Sequence, residues 1–252
     1  MPEGMTRASA QTKAQKKGRA RRICVNDTLR DIRLLSELDD DEIAVVEKSC
    51  RWRTYGSGEQ VIDQHSDTRD IFLVAAGRVR VVNYSLSGRE ITFDDLEPGS
   101  HFGELAAIDG LPRSASVMAL DEARIASLPS DQFHQMVLDH PAIALKLMKH
   151  LAHLVRTSTM RIMDLSTLGA NNRIHADLLR LARKVTEDDM TAVIKPIPIH
   201  SDVASRVSTT RETVARVMND LARKGIVERQ KEVLVVKDLE RLEDMVEDVR
   251  GE

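Results

Sequence analysis

Apolar residues in the first half of the chain come in short bursts separated by turn residues. The bursts are Gln60–Asp63, Ile71–Ala75, Val79–Tyr84, Glu90–Phe93, Ser116–Ala119 and Arg124–Leu128. Seven of the 12 glycines fall between Gly56 and Gly110, Ser87-Gly88 reads as a hairpin turn, and Pro98-Gly99 breaks the chain again. Many short strands at this spacing predict an antiparallel barrel or sandwich. Ahead of them, Leu34, Leu35, Leu38, Ile43, Val45 and Val46, beside Asp39, Asp40, Asp41 and Glu42, predict short helices packed on that core.

From Ser130 the spacing turns helical, and Pro141 interrupts it or opens a second helix at its first turn. Leu147, Leu151, Leu154, Ser158, Arg161 or Ile162, Leu165 and Leu168 then follow alternating steps of four and three. That is a heptad seam, which predicts a parallel homodimer; burial against the chain's own barrel is the alternative. Gly169 is placed at the C′ end of this helix.

In 201–219, Val203 and Val207 lie one helical turn apart, Ser208-Thr209-Thr210 supplies a break and a cap, and Val214, Val217, Met218 and Leu221 make one apolar face. Arg211 sits in the first turn of that second helix, while Glu212, Ala215, Arg216 and Asn219 lie opposite the apolar face. This is the pattern of a helix-turn-helix whose second helix enters a major groove. Arginine reads guanine O6 and N7, and glutamate accepts from cytosine N4, so Arg211, Glu212 and Arg216 form a base-reading set. Ser201, Thr209, Thr210 and Thr213 complete the expected DNA-contacting residues. Thr209-x-x-Glu212 is equally a capping box. Ser208 stands where the tight turn favours glycine. Ile226-Val227 and Val233–Val236 flank a turn and predict a β-hairpin wing. Leu239, Leu242, Val246 and Val249 predict one more amphipathic helix.

Charge refines this picture. The net charge of −3 conceals a segment, 7–22, with seven Lys or Arg and no acid; 170–237 holds 13 basic and 9 acidic residues, and 238–252 seven acids against two arginines. The expected divisions are a basic, disordered tail at 1–26, a barrel with flanking helices at 27–129, a dimerisation helix at 130–169, a winged helix-turn-helix at 170–238 and an acidic helix at 239–252. Two cysteines, Cys24 and Cys50, are too few for a disulfide framework or an all-cysteine iron–sulfur cluster. No apolar run is long enough to span a membrane, and no secretory leader is evident, so a cytoplasmic location is expected.

The sharpest chemistry lies in 102–116, FGELAAIDGLPRSAS. Gly103 permits close backbone approach, Glu104 is a carboxylate beside it, and Arg113-Ser114 follow nine residues later. Arg113 offers a charge-assisted fork to a phosphate, Ser114 adds a donor, and Glu104 can accept from a ribose hydroxyl. A ligand-free Glu104–Arg113 ion pair fits the spacing as well.

FGELA followed by PRSAS resembles the phosphate-binding cassette of the cyclic-AMP receptor protein family (the CRP/FNR superfamily), and RETVAR resembles its recognition helix. The order of parts matches across about 30–237. The resemblance implies an α+β fold: an N-terminal jelly-roll-like antiparallel β-barrel that binds a cyclic nucleotide, a long dimerisation helix and a C-terminal winged helix-turn-helix. It implies that Glu104 holds the ribose, that Arg113 and Ser114 hold the cyclic phosphate, and that Gly103, Leu105 and Ala115 line the site. It places Ser158 and Thr159, one from each subunit, at the adenine; a one-residue slip to Thr157 and Ser158 stays open. From the residues alone, Ser158 interrupts an apolar seam, so it needs a partner such as a purine edge or its own helix carbonyl. The implied effector is cyclic AMP, with cyclic GMP as the alternative. The implied partners are a second copy of the chain, twofold-symmetric double-stranded DNA with TGTGA-like half-sites, and RNA polymerase.

Two further readings remain. A redox or haem sensor of the same architecture lacks a Cys/His cluster in the sequence, and His101 beside the cassette is read as a surface or hydrogen-bonded histidine. An enzyme would need a catalytic motif, and no Gly-rich GKS/T loop, HExxH, GxSxG or set of paired metal ligands occurs. Neither catalysis, nor a metal, nor a membrane partner is expected.

Overall fold

In the computed structural model the described residues are 28–186 and 190–250. The expected basic tail and Cys24 lie outside them. After a 3-10 turn at Arg33–Leu35, helix α1 (Asp40–Ser49) starts at a capping box. Asp39 Oδ1 accepts from the Glu42 amide (2.9 Å), and Glu42 Oε2 accepts from the Asp39 amide (2.8 Å).

Eight strands follow: β1 (Arg51–Tyr55), β2 (Gln60–Ile62), β3 (Ile71–Ala76), β4 (Val79–Tyr84), β5 (Glu90–Leu96), β6 (His101–Phe102), β7 (Ser116–Ala119) and β8 (Ala123–Leu128). They pair antiparallel in two four-stranded sheets, ordered β1-β8-β3-β6 and β2-β7-β4-β5. The expected barrel is thus a jelly-roll-like pair of sheets. Tyr55, Phe72, Val74 and Ile125 of one sheet meet Ile62, Val79, Val117 and Ala119 of the other in a shared core. The outer face of the first sheet is also covered. Ile71, Leu73 and Leu128 pack under Leu35, Ile43, Phe133 and Ile143. β3 is therefore buried on both faces, which is why Ile71–Val74 shows no polar alternation.

Between β6 and β7 lies a short helix, α2 (Glu104–Asp109). Helix α3 (Ser130–Asp139) precedes the 27-residue α4 (Pro141–Thr167), which has Pro141 in its first turn. Ile143 and Leu147 are buried against the chain's own sheet, with Leu151 packed beside them. Met148, Val155, Ile162 and Leu165 stay exposed. Self-burial therefore holds for the first half of the expected seam. The free stripe is offset onto Met148, Val155 and Ile162, seven residues apart, with Ser158 between the last two and Leu165 one turn beyond. Arg161 leaves the seam: its guanidinium donates to the carbonyls of Thr92 (2.8 Å), Phe93 and Arg206 (3.1 Å). Gly169 is extended (φ −64°, ψ 159°) and caps the following helix instead of closing α4 in a left-handed turn.

The remainder holds α5 (Ala170–Arg183), β9 (Ala192–Ile194), α6 (His200–Arg206), α7 (Arg211–Arg223), β10 (Val227–Gln230), β11 (Val233–Val236) and α8 (Leu239–Arg250). The wing hairpin β10–β11 forms as expected and gains β9 as a third strand. Ile174, Val203, Val214, Leu221, Ile226 and Leu234 share one core with Leu239 and Leu242, so the acidic helix closes the same unit as the helix-turn-helix.

Ser208 adopts φ +52°, the left-handed conformation that the turn demands. For a non-glycine residue this costs about 1–2 kcal/mol. Glycine there would remove the strain but add about 0.4–1 kcal/mol of unfolded-state entropy. Ser208→Gly should raise stability by a net ~0.5–1 kcal/mol, as read by denaturant titration. A loss of stability would show that the serine hydroxyl matters more than the strain.

Candidate nucleotide and DNA sites

The cassette is built around one arginine. Arg113 is 4% exposed. Its Nη1 donates to Gly103 O (2.9 Å), its Nη2 to Asp70 O (2.8 Å), and Nε and Nη2 reach Thr68 Oγ1 at 3.4 and 3.2 Å. The guanidinium also lies over the Phe72 ring. Its hydrogen-bond partners are all neutral, and one of its five N–H groups, on Nη1, is left over. Such a buried cation suits an anion. Gly103 must be glycine here: its φ is +80°, and a Cβ would lie 2.7 Å from Arg113 Nη1.

Glu104 does not pair with Arg113. The carboxylate, also buried, stands 3.6 Å from His150 Nε2 of α4. Burial alone would raise its pKa, but the approach of His150 brings it below the usual value. His101, on β6, tilts against the His150 ring at 4.6 Å, and burial pushes its pKa down to about 4. Its Nε2 is buried with no hydrogen-bond partner, contrary to the expectation of a satisfied histidine.

Leu105 and Ala115 are half-buried beside these groups, and Ser114 is exposed. Asn83 on β4 donates to the Ser114 carbonyl (3.2 Å) and steadies the turn, a contact no local motif signals. Ser158 and Thr159 lie on α4, exposed. Thr159 Oγ1 donates to its own helix carbonyl, Val155 O (3.0 Å), while Thr157 Oγ1 is 3.5 Å from His153 Nε2. Within one chain these hydroxyls are not gathered with Arg113 and Glu104.

The second site is a helix end. Thr210 caps α7: its Oγ1 accepts from the Thr213 amide (3.2 Å) and touches Thr213 Oγ1 (3.1 Å). The cap is therefore Thr210, one residue beyond the Thr209-x-x-Glu212 box, and Glu212 is exposed. Arg211, in the first turn, and Arg216, turned away from buried Val214 and Val217, are both exposed. Ser201 is exposed in the first turn of α6 and hydrogen-bonds Asp202 (3.2 Å). Thr209 is half-buried, and its carbonyl accepts from Arg89 of the β4–β5 turn (2.9 Å).

That last contact belongs to a polar seam between the helix-turn-helix and the second sheet. Arg80 grips Asp95 with two hydrogen bonds (2.6 and 2.9 Å) and donates to Asp202 of α6 (2.7 Å). Thr92 meets Ser205 (2.8 Å), and Arg206, held by buried Asp177 of α5 (2.9 Å), reaches Asp95 at 3.9 Å.

Residues 52–140 match the model of the cyclic nucleotide-binding domain, and 172–245 match that of the Crp-like helix-turn-helix domain. The chain belongs to the cyclic-AMP receptor protein (CRP/FNR) family. Its order of parts is that of the family. It is similar to a cyclic AMP receptor protein of Thermus thermophilus, 29% identical over 214 residues, which are 84% of this chain and 95% of the relative. It is similar also to a CRP-like cAMP-activated global transcriptional regulator of Mycobacterium tuberculosis, 25% identical over 206 residues, 81% and 92% of the two chains. Among solved structures, a CooA mutant from Carboxydothermus hydrogenoformans shares the fold, with TM-score 0.74 and 24% identity over 85% of this chain and 95% of the other. The protein is thus a CRP/FNR-type regulator that joins a cyclic-nucleotide-binding domain to a DNA-binding one. Among the described residues, no helix is long and apolar enough to cross a membrane.

The polar seam has a pH signature. Burial raises the Asp202 pKa, but the hydrogen bond and charge of Arg80 outweigh it and hold the carboxyl below its usual value. A group depressed on folding contributes stability that is full above its unfolded pKa of about 4 and is lost as pH falls through the folded value. Arg80→Leu should cost about 1–3 kcal/mol, less than a fully buried pair because both carboxylates are partly exposed. It should also speed hydrogen exchange in α6 and flatten the acid limb of stability. Unchanged exchange would mean that the seam does not hold α6.

Proposed function

We propose that the chain is a homodimeric, cyclic-AMP-responsive, sequence-specific DNA-binding transcription regulator, and not an enzyme. The observation that carries this reading is the buried Arg113 guanidinium, bonded only to neutral acceptors and set beside the buried carboxylate of Glu104 on a glycine that admits no side chain. Arg113 and Ser114 would hold the cyclic phosphate, Glu104 the ribose hydroxyl, and Gly103, Leu105 and Ala115 the walls. The nucleotide supplies one anion and one purine edge. The purine would meet Ser158 and Thr159 on the exposed stripe of α4, where a second copy brings its own pair. The named activities of the Thermus and Mycobacterium relatives favour cyclic AMP over cyclic GMP.

On the DNA side, Arg211, Glu212 and Arg216 would read base edges, while Ser201, Thr209, Thr210 and Thr213 would hold the backbone. A twofold dimer implies a palindromic site, with TGTGA-like half-sites by family resemblance and RNA polymerase as the downstream partner. Nucleotide shifts the dimer toward the DNA-competent arrangement only by its differential affinity for the two. The elements placed to carry that difference are α4 and the polar seam at β4–β5.

Calorimetric titration should show cyclic AMP binding more tightly than cyclic GMP. Arg113→Leu should abolish binding with the dimer intact, and Arg113→Lys should weaken it at least ~10-fold, because an ammonium keeps the charge and loses the fork. Near-normal affinity in either variant would make Arg113 purely structural.

Arg211→Ala should cost about 1–3 kcal/mol at one base pair of the site and relax discrimination there. An equal loss on all sequences, measured by competition binding at fixed salt, would assign Arg211 to a phosphate instead.

A further inference from the structure

Three metal-ligating side chains from three separate elements meet beside the cassette: His101 on β6, Glu104 opening α2, and His150 on α4. One donor atom from each lies within 4.8 Å of the other two. His150 Nε2 is 3.6 Å from the Glu104 carboxylate, and the two imidazole rings are 4.6 Å apart and tilted by 55°. No distinctive spacing marks this set, because His150 is 46 residues beyond Glu104 in the sequence.

The cluster is poorly satisfied as it stands. His101 Nε2 is buried without a hydrogen-bond partner, although a carboxylate and a second imidazole are its neighbours. Ring packing of two histidines does nothing for that nitrogen. A cation between the three groups would take one lone pair from each. Two imidazoles and one carboxylate are a donor set for zinc and its first-row neighbours, not for calcium or magnesium, which prefer oxygen. Metal–donor bonds of about 2.0–2.2 Å in tetrahedral geometry put donors roughly 3.4 Å apart. From donors within 4.8 Å of one another, the spacing needs a contraction of up to about 1.4 Å. A fourth position would remain for water.

We propose that His101, Glu104 and His150 form a binding site for a divalent cation of the zinc class, and that its occupancy competes with cyclic nucleotide for Glu104. The second half rests on the assignment of Glu104 to the ribose. With one Glu104 oxygen committed to the cation and His150 drawn over the group, the second oxygen is shielded from a ribose hydroxyl and made a weaker acceptor by the bound charge. Metal would then pin α4 to the cassette without offering α4 a purine. The site would let the regulator read metal availability through the machinery that reads the nucleotide.

The test uses untagged, full-length protein. Cobalt(II) alone is titrated first, with visible absorption as the readout. The expected result is one equivalent per chain with the intense d–d bands of a four-coordinate site, bleached by zinc, and at least ~10-fold weaker binding in His150→Ala and His101→Phe. His150 is partly exposed, so its variant should fold, and circular dichroism checks both. Cobalt binding equally well to His150→Ala overturns the metal site, whatever the protein does with nucleotides. Cyclic AMP is then titrated with and without saturating zinc. Wild type should lose at least ~10-fold in affinity and His150→Ala should lose nothing. If zinc binds stoichiometrically and cyclic AMP affinity is unmoved, competition is overturned. If cyclic AMP fails to bind even the metal-free wild type, the proposed function fails while the cobalt spectrum still decides the site.

Discussion

Helix α4 has two apolar faces and only one of them is covered. Ile143, Leu147 and Leu151 sink into the core over the first sheet, while Met148, Val155, Ile162 and Leu165 are left in water. At 27 residues the helix is about 40 Å long, and the sheets cover only its first half. An uncovered stripe at seven-residue spacing is the surface that a second copy of the same helix fits. The position of α4 also decides what surrounds the Gly103–Arg113 segment. The buried first half fixes His150 over Glu104. The second half carries Arg161 to the carbonyls of β5 and α6, and presents Ser158 and Thr159 where a partner helix would bring its own.

The cassette shows how a buried cation can be held ready for an anion. A guanidinium buried at 4% exposure would be costly without partners, and here neutral acceptors take most of its donors. That arrangement makes Arg113 a structural strut between the Gly103 turn and the loop at Thr68–Asp70. It also holds the charge in place with little left to reorganise. The glycine is the other half of the device, since any side chain at 103 would enter the space of Nη1.

The parts legible in the sequence were those set by local spacing. The strands β2–β5, β7 and β8, the wing, the cap region before α7 and the strain at Ser208 all follow from short windows. β1 was missed because Arg51, Arg53 and Thr54 are exposed on an edge strand, so little apolar alternation marks it. β6 is two residues long and α2 only six, too short for either to leave a periodic pattern in the sequence. The cap moved from Thr209 to Thr210 because both are threonines and only backbone geometry separates them. Gly169 misled because glycine is permissive: an extended backbone suits it as well as a left-handed one. Contacts such as Arg80–Asp202 and Glu104–His150 join residues far apart in the chain, and no local pattern could announce them.

The two cores differ from the seam that joins them in a way that bears on regulation. Inside the C-terminal unit, Val214, Leu221, Ile226, Leu239 and Leu242 are almost wholly buried, so that unit moves as one body or not at all. Between it and the second sheet, the closest contacts are arginines, carboxylates, hydroxyls and carbonyls: Arg80, Arg161 and Arg206 against Asp95, Asp202, Thr92 and Ser205. Water can replace such partners at small net cost, whereas it cannot replace an apolar core. A joint of this kind has a stable closed arrangement and can still be exchanged for another. Arg161 ties that joint to α4, the helix that the nucleotide and the second subunit would both touch. A shift of α4 by even a fraction of a turn would withdraw the guanidinium from the Thr92, Phe93 and Arg206 carbonyls together. The joint would then be loosened at the point where Thr209 and the start of the recognition helix are held.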